Sequence, residues 1–147
     1  MTLHRTTPWG DHPFELLVGL MAIVGGAASA LGVISSTSIY ASLPLPVVRA
    51  WGALQFVAGT LMVTGILLRY TRRERLLTGW RIERAGLLPL AATAIVYATV
   101  VLAYAGTRAI YPAGIYIAAA IACASRARTV ARLERVVRGH AEGSDGC

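Results

Sequence analysis

The chain has 147 residues and a formal net charge of +7, and 56% of its residues are hydrophobic while only 14% are charged. A soluble domain usually carries about 25% charged residues, so the composition excludes a typical soluble enzyme and a disordered chain. Two cysteines, Cys123 and Cys147, are too few for a disulfide scaffold. The chain has no Lys and no Asn, which indicates a GC-rich genome.

The apolar residues begin after a polar N-terminal segment, residues 1–13, with a block of 19 uncharged residues at 16–34. At 1.5 Å per residue such a block spans a bilayer core of about 30 Å. We predict a transmembrane helix at about 14–34. An alternative is a cleaved signal peptide, since Ala28-Ser29-Ala30 matches an A-x-A site. Small residues form a face on which helices could approach closely, within one chain or between copies: Ala22, Gly25, Gly26, Ser29 and Ala30.

A loop at about 35–46 precedes the second predicted helix, 47–68. Arg49 stands near Trp51 and is interpreted as an interfacial anchor, or as a residue that lines an opening. Gln55 shares a face with Gly52 and Gly59. Because its amide would be unpaired in lipid, Gln55 should face another helix or a wet cavity.

A basic connection, residues 69–84, leads to the third predicted helix at 85–106, where Pro89 is expected in the first turn. Tyr97 in this helix has the same two interpretations as Gln55. The fourth predicted helix, 109–125, is rich in Ala and short, and arginines at its end could snorkel to the interface. The four helices together form a predicted transmembrane domain, 14–125, arranged as two hairpins.

The final segment, 126–147, is predicted to be a basic cytoplasmic tail containing an amphipathic helix, which either extends the fourth helix or lies on the inner leaflet. If four helices cross, twelve of the 14 arginines fall on one side, so both termini are expected in the cytoplasm. Anionic lipid headgroups, rather than nucleic acid, are the expected partners of these arginines. The arginines predicted at this membrane surface are Arg69, Arg72, Arg73, Arg75, Arg81, Arg84, Arg126, Arg128, Arg132, Arg135 and Arg138.

No catalytic or metal-binding pattern emerges, because the three histidines lie in the polar termini and no Asp lies in an apolar block. We therefore expect no enzyme activity and no cofactor. Glu15 is the acid nearest a predicted span and is interpreted as a favourable charge at a helix N-terminus. An alternative is that the chain is a small proton-coupled transporter and that Glu15 exchanges protons. In small multidrug transporters, which are four-helix proteins, a Glu in the first helix exchanges protons with cationic substrates.

Three segments, 11–16, 48–52 and 82–87, resemble small four-helix membrane proteins of actinobacteriophages that are described as holin-like. The resemblance implies a protein that oligomerises in the bacterial inner membrane and permeabilises it for lysis. A structural, accessory or exclusion protein that acts through a protein partner is the alternative.

Overall fold

The computed structural model describes residues 12–33, 43–71 and 76–144, without the side chains of 138 and 140–144. These residues form four α-helices and no strand: α1 (Pro13–Leu31), α2 (Leu45–Thr71), α3 (Leu76–Ala105) and α4 (Ile110–Ser144). The all-α prediction is confirmed. Predictions that concern residues 1–11, the segment 34–42, Arg72, Arg73 and Arg75, the side chain of Arg138 and residues 145–147 lie outside the described residues.

Within the described residues, three helical stretches are long and apolar enough to cross a membrane: Pro13–Leu31, Leu45–Thr71 and Leu76–Val137. The last stretch contains α3, a short 3-10 turn over Gly106–Ala109, and most of α4. The structure is therefore consistent with a membrane protein.

The N-terminal helix has well-defined ends. Pro13 occupies the first turn of α1, where its missing N–H leaves no intrahelical bond unmade. At the other end Gly32 adopts φ 73°, and the N–H of Val33 donates to the carbonyl of Ala28 at 2.9 Å. This left-handed termination ends α1 at Leu31, before residue 34 where the sequence predicted the end.

The third helix begins earlier than the sequence predicted, at Leu76 instead of residue 85. Its first turns carry arginines on one side but bury Gly79, Trp80 and Glu83, which are spaced by a helical period. A prediction based on unbroken runs of uncharged residues misses such turns, because they contain arginines. Because α3 starts earlier, Pro89 lies inside the helix and not in its first turn.

The tail predicted from residue 126 continues α4 without interruption to Ser144. Two interpretations of this segment were open, and the structure shows the one in which it extends the fourth helix. At 1.5 Å per residue, its 35 residues reach about 52 Å, well beyond a hydrocarbon core of about 30 Å. The last part of α4 therefore projects beyond the apolar region of the bundle.

Glycines bring neighbouring helices into close contact. A Cβ on Gly26 of α1 would lie 2.5 Å from the amide nitrogen of Phe56 of α2, and one on Gly59 would lie 2.8 Å from the carbonyl oxygen of Gly19. On the other side of α2, a Cβ on Gly86 of α3 would lie 2.6 Å from the amide nitrogen of Met62. Substitution at any of these positions must therefore push two backbones apart.

Each helix packs along the next in the chain, α1 on α2, α2 on α3 and α3 on α4, whereas α1 and α4 are not packed along their lengths. Contacting pairs such as Glu83 with Arg126 and Tyr97 with Tyr116 show that α3 and α4 run antiparallel. The bundle is thus open on the side where α1 and α4 would meet. The core comprises Leu16, Ala58, Met62, Ile66, Leu87, Leu90, Ala91, Ala120, Cys123 and Ala127.

Candidate functional site

A buried carboxylate joins three helices at the end of the bundle where α1 begins. Glu83 of α3 has no exposed surface. Its Oε2 lies 2.8 Å from Nη2 of Arg69 on α2, and its Oε1 accepts a hydrogen bond of 3.1 Å from Nε of Arg126 on α4. An ionised carboxylate is costly to bury unless it is paired, so the two guanidinium groups are what makes this position possible.

Two glycines make room for the pair between Glu83 and Arg69. A Cβ on Gly65 of α2 would overlap the backbone of Glu83, and a Cβ on Gly79 of α3 would lie 2.7 Å from Cγ of Arg69. The Arg69–Glu83 contact is close but does not have the direction of a hydrogen bond, and within the described residues Nε of Arg69 is buried without a hydrogen-bond partner. The attraction between these two residues is therefore mainly electrostatic.

The start of α1 joins the same group through Glu15 and His12. Nε of Arg126 lies 3.7 Å from Oε1 of Glu15, whose carboxylate is also 3.6 Å from Nδ1 of His12. Nη2 of Arg126 lies 3.4 Å from Nδ1 of His12, and the His12 ring meets Tyr70 edge to face at 6.2 Å. We call His12, Glu15, Arg69, Glu83 and Arg126 the charge cluster; it links all four helices at one end.

The charge cluster has no net charge when His12 is neutral, since two carboxylates face two guanidinium groups. Burial lowers the pKa of His12 below its usual value. The nearby guanidinium groups of Arg126 and Arg69 lower it further, and they outweigh the opposite effect of Glu15 and Glu83. His12 therefore favours the neutral form in the folded protein.

An open groove runs along the side of the bundle between α1 and α4. Its apolar part has a volume of about 540 Å³ and is lined by residues of all four helices, among them Leu17, Gly25, Leu90 and Ala119. A second pocket of about 260 Å³ adjoins it at the charge cluster and is lined by Glu15, Arg126 and other residues. Val18 and Cys123 line both pockets, so they form one continuous α1–α4 groove.

The small-residue face of α1 lies largely inside the chain. Gly26, Ser29 and Ala30 approach Gly52 of α2, and Ala22 approaches Gly59. Gly25 differs, because a Cβ there would have no atom within 4 Å, and Gly25 lines the α1–α4 groove. The sequence left open whether this face packs within one chain or between copies. The structure shows packing within one chain.

The other polar residues predicted in or beside the spans are separate from the charge cluster. Arg49 is exposed on the first turns of α2. Gln55 lines the apolar part of the α1–α4 groove. Tyr97 packs between two aromatic rings, with centroids 6.3 Å from Trp51 and 4.2 Å from Tyr116.

The structure differs from the sequence prediction for two basic residues. Arg69 and Arg126 were expected at the lipid headgroups, but their side chains are only 10% and 20% exposed and turn inward to Glu83. Arg81 pairs with Glu134 at 2.9 Å and is 60% exposed. The remaining described arginines of this set are exposed and still suit a surface role: Arg84, Arg128, Arg132 and Arg135.

Sequence reasoning missed Glu83 as a site residue. Its only signal was an acid among arginines, four residues before the buried Leu87 and three before Gly86. That spacing places Glu83 on the buried face of an early turn, but only if the helix begins before residue 85. In the part of the chain that the structure describes, no three His, Cys, Asp or Glu residues are grouped as a metal site requires.

Comparisons of this chain with protein-family profiles, with curated proteins and with solved structures find no match.

Proposed function

We propose that the chain is an inner-membrane protein of bacteria that crosses four times, with both termini in the cytoplasm. The antiparallel packing of α3 on α4 supports a turn at Gly106–Ala109 on the opposite side of the membrane. The distribution of arginines, twelve against two, supports the orientation. The charge cluster then lies at the cytoplasmic end of the bundle, and the extension of α4 projects into the cytoplasm.

We further propose a holin-like function, in which copies of the chain associate in the membrane and permeabilise it. The observation that carries this proposal is a small-residue surface on the outer face of α4. Gly114 and Ala118, four residues apart, are both exposed, and a Cβ on Gly114 would have no atom within 4 Å. Large exposed apolar side chains flank them, with Tyr111 at 87% and Ile115 at 67% exposure. Small residues at this spacing let two membrane helices approach closely.

Inducible expression in a bacterial host, with membrane potential and cross-linked oligomers recorded, tests this proposal. The wild-type chain should form oligomers and collapse the potential. Gly114→Leu should prevent both at equal membrane levels, because a branched side chain holds the helices apart. Ala103→Leu is the matched control, since Ala103 is exposed on α3 away from this surface. A steady potential at high levels of inserted wild-type protein would contradict the holin-like function.

A second candidate is an accessory membrane protein that acts through a protein partner. It is favoured by exposed apolar side chains on the projecting part of α4, where Leu133 is 43% and Val137 is 37% exposed. This candidate predicts no change in membrane potential and one protein that copurifies in a fixed ratio. Leu133→Ser should then release that protein, whereas a permeabilised membrane without a copurifying protein would contradict the accessory function.

A further inference from the structure

The α1–α4 groove changes in character along its length. Its apolar part lies beside the middle of α1, from Leu17 to Gly25, and opens on the side of the bundle that lipid would contact. Its other end reaches the charge cluster, where Ser125 and Thr129 join Glu15 and Arg126 in the wall. A cavity that is apolar in the membrane and charged at the interface has the polarity pattern of a membrane lipid.

The charged end of the groove offers both signs of charge side by side. Glu15 and Arg126 are 3.7 Å apart, which is longer than a hydrogen bond, and their side chains are about one-fifth exposed. Among the described residues Arg126 has its shortest contact with Glu83, at 3.1 Å, whereas its contacts with His12 are 3.4 Å and 3.5 Å long. Both groups can therefore take a further partner without giving up the pair that stabilises Glu83.

We propose that the α1–α4 groove binds a phosphoethanolamine lipid from the surrounding membrane. Its ammonium group donates to Glu15, its phosphate accepts from Arg126, and one acyl chain occupies the apolar part of the groove. A zwitterionic headgroup carries one positive and one negative charge, which match the carboxylate of Glu15 and the guanidinium of Arg126. A glycerol headgroup offers Glu15 hydroxyl donors but no positive charge, and a choline headgroup has no N–H to donate.

The charged end of the groove favours a lipid over a helix from a second copy. Glu15 and Arg126 line one end, and apolar residues such as Leu17 and Leu90 line the rest. A phospholipid carries charge at one end and apolar chains along the rest of its length, so it matches both parts at once. The surface of α4 around Gly114 that a second copy would offer is lined by apolar and small residues and supplies no charge for Glu15 or Arg126.

Native mass spectrometry of the delipidated full-length protein tests the proposal, with ethanolamine, choline and glycerol phospholipids of identical chains added in turn. The ethanolamine lipid should bind about fivefold more tightly than the other two, the ratio expected for one partly exposed ion pair of about 1 kcal/mol. Glu15→Gln should bring this ratio close to one. Equal binding of the three lipids by the wild-type chain would overturn the proposal, as would a preference that persists in Glu15→Gln.

A second variant tests the groove without touching the charge cluster. Ala119→Phe fills the apolar wall and should weaken binding of all three lipids, whereas Ala103→Phe on the outside of α3 should not. Equal lipid binding by these two variants would overturn the proposal. A dimer that Ala119→Phe dissociates, with no effect on lipid, would assign the groove to a second copy and would equally overturn it. The inference rests on membrane embedding and not on permeabilisation, so lipid selectivity and membrane potential report on the two proposals separately.

Discussion

Substitution of Glu83 by Gln should destabilise the bundle strongly. The side chain has no exposed surface and stands between Arg69 and Arg126, whose side chains are 10% and 20% exposed. Glutamine keeps the size of the side chain but removes its charge. Two guanidinium groups then face a neutral amide, and among the described residues the carboxylate that remains within 4 Å of either of them is Glu15, at 3.7 Å from Arg126.

The size of the effect follows from the distances. At an effective dielectric constant of about 20, charges 2.8 Å and 3.1 Å apart attract with about 6 and 5 kcal/mol. Most of this attraction offsets the cost of removing the groups from water, so the net loss on breaking a buried pair is about 3–5 kcal/mol. Glu134→Gln is the control and should cost less, because Arg81, whose guanidinium lies 2.9 Å from Glu134, is 60% exposed and can return to water.

Reversible unfolding in mixed micelles, followed by tryptophan fluorescence, measures both variants. Arg69→Gln combined with Glu83→Gln should recover part of the loss, since the double variant leaves one buried guanidinium group instead of two. The reasoning would be refuted if Glu83→Gln lost no more stability than Glu134→Gln.

Three further predictions concern packing and pH. Gly65→Ala should cost about 1–3 kcal/mol of unfolding free energy, because its Cβ would overlap the backbone of Glu83; a lower unfolding midpoint in the same assay checks this. Gly26→Ala should cost a similar amount, whereas Gly25→Ala should be neutral or stabilise by up to about 1 kcal/mol, since a Cβ there meets no atom within 4 Å; equal effects of the two would contradict the assigned α1–α2 interface. His12 has a lowered pKa in the folded state, so the unfolded state takes up its proton first as the pH falls below the ordinary value of 6.5. Unfolding free energy should therefore fall between about pH 7.5 and 5.5, and His12→Gln should reduce that slope; an unchanged slope would exclude His12 as its source.

The apolar segments were predictable because charge-free runs and helix-ending residues are local signals. The start of α3 was not, because its first turns bury Trp80 and Glu83 while exposing Arg81 and Arg84. A run that contains charges looks like a loop until one face of the helix is considered separately. The burial of Glu83 depends on guanidinium groups from two other helices, which sequence spacing does not bring together.

The small residues of α1 predicted a close helix contact but not its partner. Gly26 is buried against Gly52, whereas the adjacent Gly25 faces the open groove. The two positions differ by one step around the helix, and only the placement of α2 distinguishes them. Arg69 and Arg126 illustrate the same limit, since an arginine at the end of an apolar segment can reach headgroups or turn inward to a buried acid.

We propose a four-crossing bundle whose charge cluster lies at the cytoplasmic face. Reporter fusions in a bacterial host test it most directly, with alkaline phosphatase fused after Thr107, in the turn between α3 and α4, and green fluorescent protein fused after the last residue. The account predicts an active phosphatase at Thr107 and a fluorescent C-terminal fusion. An inactive phosphatase at Thr107 together with a dark C-terminal fusion would mean that the stretch from α3 to α4 crosses only once, and would contradict the account.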